Sequence, residues 1–217
     1  MNILITGANG QLGNEMRALS KENGQHAYFF TDVQELDICD EQAVHGFVKD
    51  NRIDVIVNCA AYTAVDKAED NQELCDKLNH VAPGYLAAAA EACGAALIQV
   101  STDYVFDGTG HIPYTEEAAT CPDSVYGFTK LAGEQAVMKY CSRAMIIRTA
   151  WLYSIYGNKF VKTMLRLGRE RETLGVVFDQ IGTPTYANDL ARAIFAAVNR
   201  GIVPGVYHFS NEGVCSW

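Results

Sequence analysis

A tyrosine and a lysine one helical turn apart, Tyr126 and Lys130 in the run Tyr-Gly-Phe-Thr-Lys, can act together as one acid. Residues four apart on a helix share a face. An ammonium beside a phenol favours the phenolate, which brings a group that ordinarily titrates near ~10 towards neutrality. The same spacing also occurs on solvated helix faces, so the pair gains weight only from its surroundings. Upstream, Ser101-Thr102-Asp103-Tyr104-Val-Phe-Asp-Gly108 ends a β-branched run with hydroxyls. A hydroxyl at a strand's carboxyl end, with Tyr126 and Lys130 on the next helix, completes a set able to pass a proton to a carbonyl oxygen. Thr102 is preferred to Ser101, because successive strand residues point to opposite faces and only one hydroxyl can face the site.

The opening run Asn-Ile-Leu-Ile-Thr leads directly into Gly7-Ala-Asn-Gly10-Gln11-Leu12-Gly13. Glycines so spaced, after a first strand and before a helix, allow a tight turn and let backbone approach a pyrophosphate, with the helix N-terminal amides facing the phosphates. This stretch is predicted to bind a dinucleotide. A second run ends at Thr31-Asp32, about 20 residues on, where a carboxylate would bind the adenosine ribose hydroxyls. Asp32 would repel a 2′-phosphate, and no arginine lies between Arg17 and Arg52, so charge favours NADH over NADPH, with Lys21 or a backbone loop left as the groups that could accommodate the phosphate. Asp37 and Ile38 follow, with Ile38 a candidate cover for the adenine. The third run ends in Asn58-Cys-Ala-Ala61-Tyr62-Thr63, whose small residues would let a cofactor approach the sheet. Cys59 has no visible activating context and reads as core. Asn79 could hold a proton-relay water, or merely cap or solvate its helix.

These residues need a scaffold, and the chain supplies one by alternation. Strands are predicted near 2–6, 27–31, 54–58, 96–101 and 144–149, with helices near 11–22, 40–51, 71–93 and 124–140, which is the pattern of a parallel sheet. Asp40 is a candidate N-cap for the second helix. Beyond 150 the alternation loosens, with a helix near 158–172, a strand near 175–178, a helix near 187–200 and a strand near 205–209. The expected fold is α/β, a Rossmann-like doubly wound sheet in a dinucleotide-binding domain over 1–150. A smaller, truncated C-terminal substrate lobe over 151–217 is interleaved with the last sheet strands. At 217 residues and 49 % apolar content the chain can bury a sizeable core, and a net charge of −9 argues against a general nucleic-acid surface. Seven cysteines without a C-x-x-C pair, and no long apolar run, point to reduced thiols in a cytoplasmic protein away from membranes.

Taken together, Gly7-x-x-Gly10-x-x-Gly13, Asn58-x-Ala-Ala, Ser101-Thr-Asp-Tyr-Val-Phe and Tyr126-x-x-x-Lys130 resemble the extended short-chain dehydrogenase/reductase superfamily. More narrowly, Ala64-Val-Asp-Lys-Ala-Glu69, Lys130-Leu-Ala-Gly-Glu134, Arg148-Thr-Ala-Trp151 and Asn158-Lys-Phe-Val-Lys-Thr-Met164 resemble the dTDP-4-dehydrorhamnose reductase family from end to end. The resemblance implies NADH or NADPH as cofactor, a dTDP-sugar as substrate and hydride delivery to a 4-keto carbon. It implies Tyr126 as proton donor, Lys130 lowering the Tyr126 pKa and binding the nicotinamide ribose, and Thr102 holding the keto oxygen. Asp103 and Trp151 match positions lining the sugar pocket, although Trp151 could equally be core. Two departures stand out. Phe128 replaces the family's usual lysine, at a position that need not face the Tyr126–Lys130 edge, and the family normally continues past Trp217 into a segment that helps close the substrate site. A homodimer is possible. Glu15 matches a position that contributes to a metal site in some members, yet a lone carboxylate on a helix is ordinarily solvated, and no metal is expected. Two rivals remain open: a sugar-nucleotide 4,6-dehydratase, which resembles a Thr-Asp-Glu arrangement where this chain has Tyr104, and a non-catalytic dinucleotide-binding subunit.

Overall fold

Alternation of apolar side chains along each strand dictates a sheet covered on both faces. In the computed structural model, which describes residues 1–157 and 160–217, β1 (Asn2–Thr6) sends Ile3 and Ile5 to one side and Leu4 to the other. The helix α1 (Gln11–Leu19) covers the first side, followed by β2 (Ala27–Phe30). The next helix, α2 (Glu41–Asp50), starts where expected: Asp40 accepts from the Ala43 amide at 3.0 Å. Then come β3 (Val55–Asn58), the short α3 (Val65–Ala68), α4 (Gln72–Asp76), α5 (Ala82–Cys93) and β4 (Ala96–Thr102). The long helix α6 (Val125–Tyr140) leads into β5 (Ala144–Thr149). Late elements are β6 (Leu152–Tyr153), α7 (Phe160–Glu170), β7 (Ile181–Gly182), β8 (Thr185–Tyr186), α8 (Ala187–Arg200), β9 (Gly205–His208) and β10 (Cys215–Ser216).

Six strands form one parallel sheet in the order β2-β1-β3-β4-β5-β9. Connections run one way from β1 to β2 and the other way from β1 through β3, so a crevice opens between β1 and β3 at the strands' carboxyl ends, where such sheets bind ligands. Leu4, Ile56, Leu97 and Ile146 pack against α2, α5 and α6 on one face; Ile3, Ile5, Val57, Ile98 and Ile147 pack against α1 and α8 on the other. Each such side chain contributes roughly 1.5–3 kcal/mol by leaving water. The fold is the doubly wound α/β sheet expected from the sequence.

Two expectations need correction. The helix expected over 71–93 is interrupted by a π-helical turn at Lys77–Val81. Pro83, at the start of α5, has no amide to return to the Asn79 carbonyl, so the regular ladder cannot continue through it. The strand expected over 175–178 does not form. Val176, Val177 and Phe178 are exposed, and β-branched propensity without a pairing edge does not make a strand. The helix near 158–172 is α7; positions 158 and 159, with the start of the Asn158–Met164 motif, lie outside the described residues. Among the described residues, no helix is long and apolar enough to cross a membrane.

Candidate active site

The glycine loop is shaped by contacts that exclude side chains. Gly7 has a φ of +60°, and a Cβ there would lie 2.6 Å from the Ala60 amide nitrogen of the neighbouring crossover. At Gly13 a Cβ would collide with Gly7 O. At Gly10 it would meet only Gly7 O, at 3.2 Å, so the space above this glycine is open to a ligand. Leu12 is turned into the core, and the first-turn amides of Gln11, Leu12 and Gly13 have no carbonyl partner within α1, as at any helix N-terminus. The Gln11 side chain reaches across to donate to Leu152 O at 3.3 Å.

Asp32 stands against this loop. Its carboxylate accepts from the Asn9 amide at 3.1 Å and the Val33 amide at 2.9 Å, which fixes a negative charge beside the glycines. Of its neighbours, Ile38 is used differently from expectation. Ile38 is 5 % exposed and packs with Leu36 and Val44, so its side chain belongs to the core rather than to an adenine surface. Asp37 spends a carboxylate oxygen on the Cys39 amide at 2.9 Å.

A buried polar chain missed by the sequence reading crosses the carboxyl ends of the strands. Thr6 donates to Asn58 Oδ1 at 2.6 Å, Asn58 donates to Gln99 Oε1 at 2.8 Å, and Gln99 donates to Val100 O at 3.0 Å. The same carbonyl receives Lys130 Nζ at 2.7 Å. Asn79 adds a clamp. Its amide oxygen accepts from Tyr62 N at 2.9 Å and its amide nitrogen donates to Tyr62 O at 3.1 Å, which holds the Ala61–Thr63 segment from both sides. That role replaces the capping or solvated one left open for Asn79. Cys59 is half-buried and packs against the core on the α1 side of the sheet, its thiol pushed up to about 12 by burial.

Thr102 and Tyr126 meet at the end of β4. The Thr102 hydroxyl donates to Asp103 Oδ1 at 3.1 Å and accepts from the Tyr104 amide at 3.2 Å. Ser101, which alternation turns to the opposite face, has a buried hydroxyl without a partner among the described residues. Tyr126 is 8 % exposed and meets the Tyr104 ring edge-on at 5.4 Å. Burial drives its phenol up from the ordinary range; a hydrogen bond with Thr102 works in the other direction, and the Asp103 carboxylate adds to the rise. Lys130 is pulled down to about 8, first by burial, against the opposing pull of Glu134. The expected lowering of Tyr126 by Lys130 is therefore not what this geometry gives. The ammonium is spent on Val100 O, and a low-dielectric site disfavours phenolate and ammonium alike. The arrangement presents a neutral phenol beside a threonine hydroxyl, and a neutral phenol is the form that can donate a proton.

The helix carrying these groups is firmly set. Ser124 caps it by accepting from the Gly127 amide at 3.1 Å, and Glu69 accepts from the Val125 amide at 2.9 Å. Gly133 lies directly on Asn79 O of the π turn, where a Cβ would clash. One turn beyond Lys130, Glu134 holds Arg148 through both carboxylate oxygens, at 2.9 and 2.7 Å. Phe128 is 58 % exposed, consistent with a side chain directed away from the Tyr126–Lys130 edge. Trp151 has a φ of +48°, uncommon for a bulky residue, and stacks on Trp217 with ring centroids 3.8 Å apart. Glu15 is 2 % exposed rather than solvated, and accepts from Ser154 at 2.6 Å and Asn188 at 2.9 Å. A cavity of about 670 Å³ opens between α2 and α5 at the opposite end of the sheet, lined by His45, Lys49, Arg52 and Cys93, and contains none of the predicted site residues.

Comparison with known proteins now adds to this geometry. Residues 1–217 match the family model described as the RmlD substrate binding domain. The dTDP-4-dehydrorhamnose reductase of Escherichia coli K12 is 46 % identical over 226 residues, which cover 100 % of this chain and 75 % of that protein. A dTDP-4-dehydrorhamnose reductase from Clostridium acetobutylicum superposes with a TM-score of 0.95 at 48 % identity, over 100 % of this chain and 76 % of that one. The enzyme from Bacillus anthracis, solved in complex with NADP, gives 0.94 at 42 % identity with the same coverage. With an end-to-end family match and relatives this similar, the chain belongs to the dTDP-4-dehydrorhamnose reductase family.

Proposed function

We propose that this chain is an NAD(P)H-dependent reductase that converts the 4-keto group of dTDP-4-dehydrorhamnose to the hydroxyl of dTDP-L-rhamnose. When bound, the reduced nicotinamide supplies the hydride for C4. The first-turn amides of α1 hold the pyrophosphate, and the Ala61–Thr63 segment lines the crevice between β1 and β3. Asp32 meets the adenosine ribose. Tyr126 donates its phenolic proton to the keto oxygen as C4 accepts the hydride, so that one hydride and one proton complete the alcohol. Thr102 holds that oxygen through its rotatable hydroxyl, Lys130 binds the nicotinamide ribose, and Asp103 and Trp151 face the sugar.

One observation carries the reading. Tyr126 is buried against Thr102 with its phenol pushed up by burial, and is thus held protonated at the acceptor end of a dinucleotide crevice. Tyr126→Phe should retain dinucleotide affinity and lose turnover by about 10² to 10⁴, the usual worth of a general acid. The measurement is the absorbance loss of reduced nicotinamide on anaerobic mixing with the 4-keto sugar nucleotide, beside calorimetric titration of the cofactor. Wild-type turnover in Tyr126→Phe would remove Tyr126 from the mechanism. Cofactor binding by the wild-type chain without turnover would mark a binding subunit instead.

A further inference from the structure

Among the described residues, Lys130 spends its ammonium on a backbone carbonyl rather than on the carboxylate nearest to it along the helix. Its Nζ donates to Val100 O at 2.7 Å, although Glu134 stands one helical turn away on the same face and is just as buried, with both residues 4 % exposed. Side chains four apart on a helix are within reach, and two buried opposite charges attract strongly in a medium poorer in water. What prevents their pairing is visible on the adjacent strand. Arg148 presents its fork to Glu134, with Nε at 2.9 Å from Oε1 and 3.2 Å from Oε2, and its terminal nitrogen at 2.7 Å from Oε2. Both carboxylate oxygens are thereby occupied in the bidentate geometry that a guanidinium matches and an ammonium does not. Arg148 is in turn held over the Phe106 ring at 5.2 Å, and sits beside Ser101 on β4 in the sheet register.

We infer that Arg148 is a positioning residue for the active site: by taking both oxygens of Glu134, it keeps that carboxylate off Lys130 and leaves the ammonium on Val100 O beside Tyr126. The functional meaning rests on the proposed role of Lys130 towards the cofactor; the competition between the two cations for Glu134 does not. The groups around Lys130 are few. Its own helix offers Tyr126 and Glu134, α4 offers Cys75, the turn after β4 offers Asp103 and Tyr104 on the Tyr126 side, and β5 offers Arg148. Glu134 and Cys75 act on Lys130 to favour its charge, in opposition to burial.

The experiment follows the ¹³Cε resonance of Lys130 through an alkaline titration of the 217-residue chain, with the signal assigned by its loss in Lys130→Arg. Wild type should titrate near 8. In Arg148→Met the freed carboxylate captures the ammonium, and the midpoint should rise by about one unit or more, a tenfold gain in proton affinity. Arg148→Lys keeps the buried charge but holds a carboxylate at one point only, so it should fold and move the midpoint the same way by less. Glu134→Gln with Arg148→Met removes the carboxylate itself, and the midpoint should fall below wild type. An unchanged or lowered midpoint in both Arg148 single variants would overturn the inference and reduce Arg148 to packing. NADH affinity separates this from the functional reading. If the midpoint moves as expected while NADH binds all variants equally, the positioning stands and the ribose-binding role of Lys130 falls.

Discussion

At the scale of single residues, charge placement decides more than residue identity. Asp32 is immobilised by two backbone amides beside the glycine loop, so its charge cannot swing away from an incoming 2′-phosphate at no cost. A like-charge contact at such a partly exposed site costs on the order of one to a few kcal/mol, about tenfold or more in affinity. NADH should therefore be used at least as well as NADPH, and Asp32→Ser should shift the ratio of kcat/KM towards NADPH. The check is that ratio in both proteins with one sugar substrate. A strong wild-type preference for NADPH that survives the substitution would mean that Asp32 lies off the path of the phosphate. Residue types also explain what could be read in advance. Gly7, Gly10 and Gly13, with Tyr126 and Lys130, announce themselves by spacing, because a βα turn and a helix face impose fixed intervals. Glu134 with Arg148, and Gln99 with Asn58, do not: each pair joins two different elements, 14 and 41 residues apart, and no local period links them.

At the scale of elements, the strands and helices of the sheet were legible because burial on both faces demands continuous β-branched runs and because caps such as Asp40 mark the helix starts. The π turn was not. It arises where Pro83 withholds an amide from Asn79 and where α6 needs close access, a tertiary demand with only the proline as a local trace. Its consequence is concrete. Gly133 of α6 rests on Asn79 O, and Asn79 at the same turn grips the backbone of Tyr62, so one bulge sets both the helix that carries Tyr126 and the Ala61–Thr63 segment after β3. Gly133→Ala places a methyl group on a backbone carbonyl, and overpacking of this kind typically costs 1–3 kcal/mol. Urea denaturation should show that loss, together with weaker NADH binding, since both Tyr126 and Ala61–Thr63 are displaced. A midpoint equal to wild type would mean that the helices can part without consequence.

At the scale of the whole molecule, the last third of the chain returns to the first. The sheet is completed by β9 beside β5, and α8 packs on α1 through Leu190, Ala191 and Ile194. The short strands β6 and β8 pair with each other over the carboxyl end of the sheet. Glu15 fastens this return. Rooted on the helix that begins at the glycine loop, it is buried without an opposing cation in contact among the described residues, and both its oxygens are taken by neutral donors from later elements, Ser154 after β6 and Asn188 on α8. Asn188 in turn accepts from Arg192 at 3.0 Å, so the link extends along α8. Glu15→Ala would leave two donors without partners in a buried site and a void beside them, and each unsatisfied group typically costs 1–3 kcal/mol. A total of about 2 kcal/mol or more should appear as a lower urea midpoint. Glu15→Gln, which keeps one acceptor oxygen, should fall between. Because the link sits between α1 and the segment after β5, proteolytic cutting within 151–186 should quicken in Glu15→Ala before the sheet itself unfolds. Unaltered stability and cutting in Glu15→Ala would show that Ser154 and Asn188 find water or other partners at no cost, and that the α1–α8 apolar contact, with links such as Gln11 to Leu152 O and Arg192 to Glu22, holds the two ends of the chain together without Glu15.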